Sequence, residues 1–96
     1  MKPSTALAQH KEAIKQIVVQ YNATNVRVFG SVLEGNDQDG SDLDLLIDPT
    51  TQTTLFDIGA IRHELLQLLD VPVDVLTPNA LPESFRAEII AQARPL

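Results

Sequence analysis

Three acidic residues and one Gly-Ser pair carry the chemistry in this sequence. Asp42 and Asp44 stand at i and i+2 in Ser41-Asp42-Leu43-Asp44-Leu45-Leu46-Ile47. Leu43, Leu45 and Ile47 alternate with Asp42, Asp44 and Leu46, a period of two that marks a strand with both carboxylates on one face. At that spacing their Cα atoms lie roughly 6.5–7 Å apart, close enough for both side chains to reach one hard cation or a bridged pair. A third acid, Asp74, interrupts the Val-rich run Val71–Leu76. Burying an unpaired carboxylate is costly, so Asp74 is read either as a strand-edge residue or as one held by a cation. Upstream, Gly30-Ser31 breaks the apolar run Val26–Phe29. A strand that ends in such a pair can open a helical turn whose free N–H groups hold a phosphate oxygen, with the hydroxyl as a further donor.

Positioning these groups requires a small layered domain. Apolar spacing predicts a helix over 4–21, with Leu7, Ile14, Ile17, Val18 and Tyr21 on one face, Ser4 as N-cap and Asn22 as the stop. Strands follow at Val26–Phe29 and around Asp42–Ile47. A second helix runs from Thr54 to Leu69, its buried stripe formed by Leu55, Ile58, Ile61, Leu65, Leu68 and Leu69. Thr54 and Asp57 resemble a capping box at its start. A third strand lies at Val71–Leu76, and a final helix at 82–93 opens on Pro82 and turns Phe85, Ile89, Ile90 and Ala93 inward. His10 and His63 are read as exposed helix residues. The fold class is α+β: a two-layer domain spanning 1–96, with a small mixed sheet of three to four strands and helices packed on one face. With adjacent strands, Asp74 comes within about 5 Å of the Asp42 and Asp44 strand. Three carboxylates then meet beside the Gly30-Ser31 turn, as two-metal phosphoryl transfer requires.

Composition narrows the functional classes. Ninety-six residues with 44% apolar content make one globular domain, and with no cysteine there is neither a disulfide framework nor a thiolate zinc site. The net charge of −6 argues against nucleic acid or an anionic membrane as a direct partner. No leader pattern or long apolar run is visible, so a cytoplasmic location is expected. Glu34, Asp37 and Asp39 read as a solvated acidic loop. An EF-hand is excluded, because placing Gly40 at its sixth position leaves Gly35 and Leu46 where acids are needed.

These residues resemble a known family. Gly30-Ser31, ten intervening residues and Asp42-Leu43-Asp44 match the GS-x10-DxD signature of the polymerase-β-like nucleotidyltransferases. Ser-Asp-Leu-Asp-Leu-Leu-Ile-Asp and the later Val-Asp-Val-Leu-Thr resemble the minimal nucleotidyltransferases within it. The resemblance implies that Gly30 and Ser31 contact the nucleotide phosphates. It also implies that Asp42, Asp44 and Asp74 bind Mg²⁺, two ions in all, with Asp74 assisting deprotonation of the attacking hydroxyl. It implies ATP as substrate and a HEPN-domain toxin as partner, the antitoxin transferring AMP to a toxin tyrosine. Val32 and Glu34 stand where relatives carry Arg in a phrase such as GSRARG. The alternative reading is therefore a catalytically silent antitoxin that neutralises its partner by binding.

Overall fold

The computed structural model describes residues 1–96. Helix α1 (Pro3–Gln20) leads into strand β1 (Ala23–Phe29), the short helix α2 (Gly30–Glu34) and strand β2 (Leu43–Pro49). Helix α3 (Leu55–Leu69), strand β3 (Val73–Leu76), a 3₁₀ turn at Pro78–Ala80, helix α4 (Glu83–Gln92) and the two-residue strand β4 (Arg94–Pro95) complete the chain. The sheet order is β3-β2-β1-β4. β1 runs antiparallel to both β2 and β4, while β2 and β3 are parallel. Parallel neighbours need a crossover, and α3 supplies it. The expected mixed sheet of three to four strands is thus present with four.

The alternation read from the sequence decides which face of the sheet is which. Leu43, Leu45 and Ile47 are fully buried and join Ile14, Val18, Ile61 and Leu65 in one apolar core under α1 and α3. Residues of the opposite face include Asp44 and Leu46 on β2, and Arg27 and Phe29 beside them on β1. Leu46 is also fully buried, because the 3₁₀ turn packs against β2.

Helix signals held unevenly. Thr54 caps α3 as the sequence suggests: its hydroxyl accepts from Asp57 N at 3.1 Å and Asp57 accepts from Thr54 N at 2.9 Å. At α1 the N-cap is Lys2 with Pro3 at the first helical position, not Ser4. Pro has no N–H to satisfy there, which suits that place. Ser4 N instead donates to Asp37 Oδ2 at 2.8 Å. Asp37 is therefore buried and tethers the acidic loop to the start of α1, rather than lying solvated. Leu55 does not belong to the buried stripe of α3: at 85% exposure it sits in the first turn beside Phe56, before the helix reaches the core. The final helix does not turn Phe85 and Ile90 inward either. α4 buries no residue of its own, because it packs mainly against the 3₁₀ turn rather than against the sheet.

Candidate active site

Asp44 and Asp74 are brought together by strand register. They are direct partners in the parallel β2–β3 pair, flanked by Leu43↔Val73 and Leu45↔Val75. The ladder begins where Leu43 N donates to Pro72 O at 2.8 Å. Asp42 lies one residue before β2, exposed and outside the ladder, so no pleat fixes its side chain. Its charge nevertheless reaches Asp44. Partial burial, then the Asp74 carboxylate, then Asp42 push the Asp44 carboxyl up to about 6. No three acidic or histidine side chains form a closed ligand cluster; the arrangement is a register-locked pair with a third carboxylate at its mouth. An all-oxygen donor set of this kind fits a hard divalent cation, whose charge would offset both the burial of Asp44 and the repulsion from Asp74 and Asp42.

Gly30 closes the other side. It has φ +73, a backbone region that suits glycine. A Cβ built there would meet the Asp44 carboxyl carbon at 3.2 Å, with Oδ2 closer still. The start of α2 is thus pressed against the acid that the register of β1 already places beside Phe29. No side chain caps α2 at its start, so its first-turn N–H groups remain available to an anion. Ser31 sits in that turn, half-buried. The loop from α2 back to β2 is braced by Ser41, whose hydroxyl accepts from Gln38 N at 2.9 Å, and by the Asp37 tether.

α2 itself carries no cation; Arg94, on β4, borders a hollow with Leu33 and Glu34 at the far end of the helix. Arg27 is buried and ion-paired with Asp48, at the end of β2 away from Asp44. The register shift between Thr24 and Arg27 explains why. Asn25, at φ +52, forms the irregularity, aims its amide at Asp48 Oδ2 at 2.8 Å and offers its carbonyl to Arg27 Nε at 3.2 Å. Arg62 is exposed on α3 and borders a hollow with Asp70 and Pro72. His63 is exposed on the same helix, and His10 is half-buried at a kink in α1. Neither histidine joins the site. Sequence reading missed β4, which adds Arg94 and Pro95 alongside Val28 and Arg27; two residues containing a proline give no periodic signal.

Comparison with known proteins identifies the family and the fold. The family model described as "Polymerase beta, Nucleotidyltransferase" matches residues 12–96. "Putative protein adenylyltransferase MJ0435" of Methanocaldococcus jannaschii is 28% identical over 86% of this chain and 89% of its own length. A second M. jannaschii protein, "Putative protein adenylyltransferase MJ0126", is 29% identical over 78% of this chain and 74% of its own. Among solved structures, one described as "Structure of putative minimal nucleotidyltransferase" superposes with a TM-score of 0.86 at 34% identity, covering 97% of this chain and 95% of that one. A structure described as "Crystal structure of the toxin-antitoxin with AMP-PNP" shares the fold at TM-score 0.70 and 14% identity, over 97% of this chain and 71% of that one. The chain belongs to the polymerase beta nucleotidyltransferase family.

Proposed function

We propose that this protein is a Mg²⁺-dependent protein adenylyltransferase that moves AMP from ATP to a tyrosine hydroxyl of a HEPN-domain toxin, acting as its antitoxin. The observation that carries the reading is the Asp44–Asp74 pair held against Gly30. Two relatives described as protein adenylyltransferases, and the likeness of the fold to a toxin–antitoxin structure with AMP-PNP, support it.

In this reading Asp42, Asp44 and Asp74 hold the metal, and the turn at Gly30-Ser31 holds the outer phosphates. Mg²⁺ held by these carboxylates would supply positive charge to offset the charge that develops at the transferred phosphate. The tyrosine oxygen attacks the α-phosphorus, the bond to the α–β bridging oxygen breaks, and pyrophosphate leaves. The tyrosine proton passes to Asp74, the more exposed carboxylate of the pair. Ser31 adds one donor to the backbone N–H groups and orients the leaving phosphates.

The test is to co-express the chain with a HEPN-domain protein encoded beside it, incubate the pair with ATP and Mg²⁺, and weigh the partner. A gain of one or more AMP units is expected. Asp42→Asn or Asp44→Asn should abolish it, and Ser31→Ala should weaken it less, since the N–H donors remain. One observation favours a second reading, the silent antitoxin: α2 carries Val32 and Glu34 and no cation. If the wild type transfers nothing while Asp44→Asn still neutralises the partner, that second reading stands.

A further inference from the structure

A cavity of about 410 Å³ opens on the sheet face that carries Asp44, between the Gly30 turn and α4. Its size falls within the roughly 300–1,000 Å³ of small-molecule sites. Gly30 forms part of its wall, so the cavity adjoins the turn assigned above to the phosphates. Phe29 and Phe85 contribute aromatic surface, and Glu34, Glu88 and Gln92 contribute the polar groups. No Lys or Arg lines it. Arg94 borders the neighbouring hollow that Glu34 and Gln92 also line, not this one; two carboxylates with no cation in the lining repel a triphosphate, so the cavity is not where phosphates go. The same groups suit an uncharged aromatic ring that carries N–H donors. Phe85 is 55% exposed on a helix that buries none of its residues, an aromatic face left open to a ligand. The wall is nevertheless fixed: Arg86 Nη2 donates to Leu81 O at 3.0 Å and to Asn79 O at 3.3 Å, tying α4 to the 3₁₀ turn.

We propose that this cavity is the nucleobase site and that the Glu34 and Glu88 carboxylates select a base bearing an exocyclic amine. The ring lies against Phe85 and Phe29, and the amine donates to the carboxylates, as cytosine and adenine amines donate to acidic and amide side chains elsewhere. Glu34, out of place as a phosphate neighbour, acquires a role as an acceptor. The proposal rests on the reading of Gly30, Ser31 and Asp44 as the triphosphate end of the same site.

The test compares Mg²⁺-ATP with Mg²⁺-ITP by calorimetry on the full chain. The two nucleotides match in size and charge, but ITP presents a carbonyl oxygen where ATP presents the amine. A preference for ATP of roughly 10-fold or more is expected, the scale of one well-formed base-edge contact. Glu34→Gln/Glu88→Gln should bring the ratio close to one, because an amide offers donor and acceptor alike. Phe85→Ala should weaken both nucleotides by a similar factor and leave the ratio intact, since stacking ignores the base edge. These side chains are largely exposed, so the variants keep the core. Binding that needs Asp44 but treats ATP and ITP alike, or ignores the Glu34→Gln/Glu88→Gln and Phe85→Ala changes, overturns the nucleobase site alone. Absence of any Asp44-dependent nucleotide binding overturns the phosphate-end reading and this proposal with it.

Discussion

Gly30 and Asp44 occupy adjoining volumes with no room for a methyl group between them: a Cβ on Gly30 would stand 3.2 Å from the Asp44 carboxyl carbon and 3.4 Å from its Cβ. Gly30→Ala therefore faces two penalties. The positive φ costs about 1–2 kcal/mol, and the Asp44 carboxylate must move. In an Asp44→Ala background only the backbone penalty remains. Chemical denaturation of the four proteins of this cycle checks the relationship, with a coupling of about 0.5 kcal/mol or more expected. AMP transfer should be lost in Gly30→Ala even where the protein is folded.

The pH dependence of stability follows from the Asp44 carboxyl. Its pKa rises from 3.8 to about 6 on folding, so the folded protein holds this proton more tightly than the unfolded chain. The group's contribution to stability falls as pH rises from about 4 to about 6 and stays low above that. Half the side chain remains near solvent, which reduces the effect to about 1 kcal/mol. Asp44→Asn is expected to exceed the wild type in stability by that amount near pH 8, and to equal it near pH 4. Asp37 and Asp57 act in the opposite sense. The N–H groups of Ser4 and Thr54 hold their carboxyls below the ordinary range, so their stabilisation is lost in acid. They do so in both proteins, and the difference curve isolates Asp44.

Metal should reverse the same penalty. Mg²⁺ or Mn²⁺ is expected to raise the melting temperature of the wild type at neutral pH, because the cation binds the folded state and offsets the crowded carboxylates. The rise should vanish in Asp42→Asn/Asp44→Asn, and should fade below about pH 6 as protons compete for Asp44. An equal rise in the double variant would place the ions elsewhere.

Arg27 is committed to the fold. Asp48→Asn removes the charge that pairs with a buried guanidinium, and a loss of about 1.5–3 kcal/mol is expected from denaturant midpoints. ATP affinity should not change, since the pair sits at the far end of β2. A drop in affinity would show that the Arg27–Asp48 pair bears on nucleotide binding.

The site was more legible in the sequence than its surroundings. The period-two pattern of Leu43, Asp44 and Leu45 and the isolated acid in Val73-Asp74-Val75 both express strand pleat, a local property. Asp42, read on the same strand face, lies one residue before β2, so the pleat accounts for Asp44 and Asp74 alone. The capping box at Thr54 and Asp57 is equally local and equally readable. Asp37 was misread because its partner, the Ser4 N–H, lies thirty-three residues away, and no spacing rule links a loop acid to a distant helix start. Phe85 and Ile90 were misread because apolar periodicity tells which residues share a face, not whether another layer covers it. The loss of Arg27 to Asp48 was unreadable for a related reason: the irregularity at Asn25 exists only when β1 pairs with β2.

Asp44 and Asp74 are separated by thirty residues of chain, and they become neighbours only after α3 has crossed over and β3 has docked beside β2. Parallel, non-local pairing of this kind belongs to the slow part of folding. Carboxylate repulsion is thus a feature of the finished sheet rather than of the species that precedes it. Relieving it, by a cation or by Asn at position 44, is expected to leave the refolding rate unchanged and to slow unfolding. The acidic pair then governs how long the native state lasts once formed, and the metal-loaded protein should outlive the metal-free one under proteolysis.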